Sequence, residues 1–93
     1  MKTKYPIKNG SIAELIVCAD LLSKGYQVYR PVSYLSAFDI VAIRDGAIIT
    51  VEVRTSKEGD PTCFPRNKNG VIPTVYASVS SRSNKIFYYP TLS

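Results

Sequence analysis

Asp39, Glu52 and Arg54 are charged residues in a setting that calls for partners. They stand within residues 38–55, "FDIVAIRDGAIITVEVRT", among Val, Ile and Ala in an alternating, strand-like pattern. A carboxylate on a buried sheet face is costly without a partner. Two carboxylates together have several ways out. One takes up a proton, Arg54 bridges both as an ion pair, or the edge that carries them is solvated. In the remaining arrangement a divalent cation binds between them. Mg²⁺ suits that role, since it takes carboxylate oxygens at about 2.0–2.1 Å and keeps several waters.

The rest of the composition narrows the chemistry. The chain has no histidine, which excludes His-based acid–base catalysis, Ser-His-Asp triads and His-ligated zinc. Cys18 and Cys63 are far apart and in no metal-ligand spacing, as expected of free thiols in a reducing cytoplasm. Twelve Lys plus Arg against seven Asp plus Glu leave a net charge of +5, which points to an anionic partner, most commonly nucleic acid. The apolar runs are too short to span a membrane, and the basic start "MKTKYPIKNG" has no apolar segment of the kind a signal peptide needs. A cytoplasmic protein is expected. With 93 residues, 45% of them apolar, one domain over residues 1–93 is expected. Its core is thin enough to leave self-association open.

The elements that position the charged residues follow from local signals. Ser11 and Glu14 make an S-x-x-E capping box, and Gly25 suits a left-handed C-cap, so a helix is predicted over residues 11–24. On its wheel Ile12, Leu15, Ile16, Ala19 and Leu22 form an apolar arc, extended by Cys18 and Leu21. Asp20 and Lys24 lie opposite and Glu14 falls at the margin. Strands are predicted over residues 26–30, 38–44, 47–55, 74–80 and 85–89. Residues 56–73, with three prolines and three basic residues, read as a long surface loop. Asp45-Gly46 is a two-residue type I′ hairpin turn. That turn sets Arg44 opposite Ala47 and, continued without a bulge, Asp39 opposite Glu52, with Arg54 on the same face. Ile40, Ala42, Ile49, Val51 and Val53 go to the other face, which is fully apolar.

Glu14 in a first helix, then Asp39, then Glu52-Val53-Arg54 thirteen positions on, resembles the PD-(D/E)XK nuclease superfamily. "GSIAELIVCADLLSKGYQVYRPVS", "FDIVA" and "VEVRT" look like the corresponding series in Holliday-junction-resolvase-like and related homing-endonuclease members, and "KIFYYP" looks like their last strand. The resemblance implies an α+β (α/β) fold: a small mixed sheet of about five strands, the N-terminal helix on one face, and a restriction-endonuclease-like core. It implies Mg²⁺- or Mn²⁺-dependent hydrolysis of DNA, duplex or branched, by a homo-oligomer, with a dimer favoured. Asp39 and Glu52 would hold the metal, the Val53 carbonyl could add a further ligand, and Glu14 would hold metal-bound water or a second ion. Lys57, Arg66 and Lys68 would contact phosphates. Arg54 stands where the family has lysine. Arginine stays protonated and cannot act as a base, but it can donate to a phosphate oxygen or a hydroxide. It can equally clamp the carboxylates, so a nuclease fold that binds DNA without cutting it is the alternative. A small homomeric module with a structural salt bridge is a third.

Overall fold

Helix α1 spans Ser11–Ser23. Its end follows from Gly25, whose φ of +89° is a conformation glycine adopts without steric cost. The Gly25 N–H donates to the Leu22 carbonyl at 3.0 Å and the Tyr26 N–H to the Leu21 carbonyl at 3.1 Å. This is a Schellman arrangement, which satisfies carbonyls the helix leaves open. It turns the chain into the first strand and buries Tyr26. The Arg44 guanidinium lies 4.4 Å from the Tyr26 ring centre and donates to the Lys24 carbonyl at 3.0 Å, tying the helix end to the central hairpin.

The computed structural model describes residues 11–33, 36, 38–57 and 72–92. Five strands follow the helix: β1 Gln27–Tyr29, β2 Ile40–Arg44, β3 Ala47–Ser56, β4 Val75–Ser80 and β5 Ile86–Tyr89. They form one sheet in the order β1-β2-β3-β4-β5. All neighbours are antiparallel except β3 and β4, which run parallel from Val51↔Val75 to Ser56↔Ser80. Residues 57–74 therefore carry the chain back from one end of the sheet to the other, because parallel neighbours require a crossover. The surface loop predicted over residues 56–73 lies largely outside the described residues. The Ser80 hydroxyl donates to the Lys57 carbonyl at 2.9 Å and fixes one end of that connection. At the other end the Thr74 N–H donates to Thr50 Oγ1 at 2.9 Å.

The core lies between α1 and one sheet face. Ile40, Ala42, Val51, Val53, Val75, Ala77 and Val79 are buried there against Ala13, Val17, Cys18 and Leu21. This is the apolar face that the hairpin register predicts. The architecture is the expected α+β one, a five-stranded mixed sheet with a helix packed on one side.

The helix is rotated relative to the arc predicted from its wheel. Ala13, Val17, Cys18 and Leu21 are buried, whereas Ile12, Leu15, Ala19 and Leu22 are exposed. The helix is apolar almost all round, so the wheel alone cannot choose a face. Two polar anchors choose it. Arg30 Nη2 donates to Glu14 Oε1 at 3.0 Å just beyond β1, and the Tyr88 hydroxyl of β5 donates to Asp20 Oδ2 at 2.6 Å. Asp20 stands at one margin of the buried arc and Glu14 between the buried Leu21 and Cys18, and their partners lie at opposite edges of the sheet. Lys24 belongs to the second anchor, 3.5 Å from Asp20. Asp20 and Lys24 thus sit at the sheet margin and not on an outer, solvated face. Among the described residues, no helix is long and apolar enough to cross a membrane.

Candidate active site

The site begins at the β2–β3 turn. Asp45 and Gly46 have φ values of +52° and +79°, the two positive values that a type I′ turn requires. The ladder then runs in the predicted register, from Arg44↔Ala47 to Ile40↔Val51. Asp39 lies one step past its end. There the regular pairing stops, so the strict opposition of Asp39 and Glu52 is not continued as ladder. The Asp39 N–H donates to the Val51 carbonyl at 3.2 Å, one residue off the hairpin register. Its Oδ2 accepts the Val53 N–H at 2.8 Å. The physical reason is an open donor on β3: once β2 has ended, the Val53 N–H has no strand carbonyl to meet, and the Asp39 carboxylate takes that place. The carboxylate is thereby held against the peptide that joins Glu52 to Val53.

Glu52 and Arg54 project from β3 on the face away from α1, opposite in direction to the buried Val51 and Val53. Glu52 is only 7% exposed. Arg54 Nη2 lies 3.2 Å from Glu52 Oε1, an ion pair between residues two apart on one face. Arg54 Nε is buried and, among the described residues, has no hydrogen-bond acceptor. A buried N–H left open in this way costs about 1–3 kcal/mol, and its natural complement is an anionic oxygen.

The other predicted site residues are placed as follows. Glu14 stands on the helix, not on β3, and is the partner of Arg30. Among the described residues, no three acidic or cysteine side chains converge as a metal-binding group. Lys57 is exposed, just after β3. Arg66 and Lys68, like Cys63, lie outside the described residues, as does the Ser11 side chain of the predicted capping box. Arg30 is the charged residue that sequence reasoning missed. Nothing in spacing announces a contact sixteen residues away; the only hint was an arginine closing a predicted strand beside a proline. Burial pushes the nearby Cys18 thiol up from its ordinary pKa, with Arg30 pulling it down and Glu14 pushing it up. Cys18 is therefore a protonated core residue, not a nucleophile.

The donor set fits a small divalent cation of the Mg²⁺ type. Such an ion needs only one or two protein carboxylates with water completing its shell. Asp39 uses one oxygen on Val53, and among the described residues Oδ1 accepts no hydrogen bond. Glu52 stands on the adjoining residue. The Arg54 guanidinium already neutralises part of the Glu52 charge, so a cation there shares Glu52 with it or displaces it.

Comparison with known proteins identifies the family and the fold. A family model described as PD-(D/E)XK endonuclease matches residues 1–89. Among solved structures, the bacterial homing endonuclease I-Ssp6803I is similar in fold, with a TM-score of 0.70 at 19% sequence identity. That match covers 85% of this chain and 60% of the other, so the chain spans less than two thirds of the neighbour's length. No curated protein matches the chain.

Proposed function

The chain belongs to the PD-(D/E)XK endonuclease family, and from that premise we propose that it hydrolyses phosphodiester bonds in DNA with Mg²⁺ or Mn²⁺ bound at Asp39 and Glu52. One observation carries the reading. The 2.8 Å bond from the Val53 N–H fixes the Asp39 carboxylate beside the strand segment that bears Glu52 and Arg54. Asp39 is thereby oriented with one oxygen anchored and the other available to a cation. Glu52 supplies the second carboxylate from a site that is nearly closed to bulk water, where charges interact more strongly. Arg54 stays protonated, so it abstracts no proton; its open Nε–H and its Nη groups donate to a phosphate oxygen. Glu14, if released from Arg30, orders water on the helix side. Lys57, Arg66 and Lys68 contact flanking phosphates. The cation, when bound, lowers the pKa of its water and offsets charge developing on the phosphoryl oxygens.

The substrate is duplex or branched DNA, in the manner of a junction resolvase or a homing endonuclease, and two copies act together. Cleavage of supercoiled, linear and four-way-junction DNA with Mg²⁺ or Mn²⁺ tests the reading. Wild type should cut at least one of these substrates. Glu52→Gln should lose about 10²-fold or more, the scale on which a single electrostatic contact in an active site acts. A wild type that cuts none of the three with either metal overturns it.

The Arg54–Glu52 pair at 3.2 Å supports a second reading, a member of the fold that binds DNA without cutting it. Salt-dependent DNA binding with no metal requirement is its signature. Tight Mn²⁺ binding that Asp39→Asn abolishes argues against it.

A further inference from the structure

The outer face of α1 is built the wrong way round for a helix that meets water. Surface helices put charge outside and apolar side chains inside. Here the three charged residues of the helix and its C-cap, Glu14, Asp20 and Lys24, are at the sheet margins, where Arg30 and Tyr88 engage the two carboxylates. Ile12, Leu15 and Leu22 point outward at 42%, 55% and 60% exposure, with Ala19 exposed between them. Their spacing of three, four and three residues is that of the a and d positions of a heptad, with isoleucine and alanine at a and leucine at d. Isoleucine at a with leucine at d is the pattern that favours two-stranded pairing of like helices. The positions flanking the seam are Ser11, Ile16, Cys18 and Ser23, none of them charged.

We propose that this seam is the interface between two copies of the chain. A seam without a cation offers nothing to DNA phosphates, although the chain as a whole carries +5. A second copy brings the same uncharged stripe, and a two-fold axis makes it self-complementary. Ala19, near the middle, lets the two backbones approach closely. The helix is already ordered by the sheet, so pairing incurs none of the nucleation cost an isolated peptide has. One 13-residue helix offers less than the roughly 800 Å² per partner of a standard interface, so the dimer is a weak one with a dissociation constant in the micromolar range. Because Glu52 and Arg54 project from the opposite sheet face, the pair is back to back, with the helices inside and both candidate sites outward.

This inference specifies the two-copy part of the proposed function, and its test uses neither DNA nor metal, so its failure leaves the nuclease reading intact. Sedimentation equilibrium of the full chain should show a concentration-dependent monomer–dimer equilibrium. Leu15→Glu and Leu22→Glu, both at exposed positions, should each weaken it about tenfold or more, because a buried unpaired carboxylate is costly. Far-ultraviolet circular dichroism should be unchanged. Ala19→Glu provides an independent third substitution should either leucine variant fold poorly. A wild type that stays monomeric up to about 0.2 mM, well above micromolar dissociation constants, overturns the proposal and leaves the face to another occupant. A dimer that survives the glutamates in a folded chain overturns it as well, by placing the interface elsewhere.

Discussion

Arg54 decides between the two readings of the site, because its guanidinium already holds a carboxylate that a cation would need. Lysine at that position carries the same charge on a single ammonium and makes no planar two-pronged contact. Arg54→Lys is therefore expected to loosen the hold on Glu52, tighten Mn²⁺ binding in titration calorimetry and raise cleavage. If neither rises, arginine is not what restrains the site. Asp39 accepts from the Val53 N–H and, on the proposed function, would also ligate the cation, two separable jobs. Asp39→Asn keeps an oxygen for the Val53 N–H and should leave stability within about 1 kcal/mol while abolishing Mn²⁺ binding. Asp39→Ala strands that N–H, which costs about 1–3 kcal/mol in denaturant unfolding. If the two variants prove equally stable, the Val53 bond contributes nothing to the fold.

At the scale of elements, what could be read in advance was what a local signal specifies. The Asp45-Gly46 turn fixes a register, and the register assigns every residue of β2 and β3 to a face. Gly25 fixes where α1 ends. Gly25→Ala is expected to destabilise by about 1–2 kcal/mol, all of it from backbone strain, since an added Cβ would meet only Arg44 Cδ at an ordinary 3.8 Å. The buried face of α1 could not be read, because apolar residues ring the helix and the deciding contacts, Glu14–Arg30 and Asp20–Tyr88, join residues 16 and 68 apart. Asp39 was legible as a site candidate, but its bond to Val53 depends on where β2 stops, which composition does not mark. The Asp20–Tyr88 anchor leaves its own signature in pH. Burial, then the bond to Asp20, pushes the Tyr88 hydroxyl well above its ordinary value near 10. The folded state thus holds a proton that the unfolded chain releases, so the anchor's contribution is full below about pH 10 and is lost as pH rises further. Tyr88→Phe should lower stability by about 1–2 kcal/mol at pH 7 and flatten the decline above pH 10 seen in urea unfolding. A decline of unchanged slope would assign it to other groups.

At the scale of the whole molecule, the layer order has a consequence for DNA. A back-to-back pair places each Glu52–Arg54 face against its own DNA segment, and one duplex cannot reach both. On the proposed function, each face would bind DNA by releasing counterions. With three to five phosphate contacts per copy, the logarithm of affinity should fall against the logarithm of salt with a slope of roughly −3 to −4.5. Lys57, exposed beside β3, is proposed as one such contact, and Lys57→Ala should then reduce the magnitude of the slope by about 1. Leu15→Glu should leave the slope for a single short duplex unchanged, because Leu15 is not among the proposed phosphate contacts. What it should remove is bridging, the capture of a free labelled duplex by protein already bound to an immobilised one. Wild type should bridge at protein concentrations where the dimer forms, and the variant should bind without bridging. Equal bridging by both proteins would mean that one copy holds two duplexes and that the helix seam is irrelevant to it. On the proposed back-to-back geometry, cleavage by the dimer would nick two separate segments and not cut both strands at one place. A junction, whose arms present two strands to opposite sides, should therefore be a better substrate than a linear duplex of equal length.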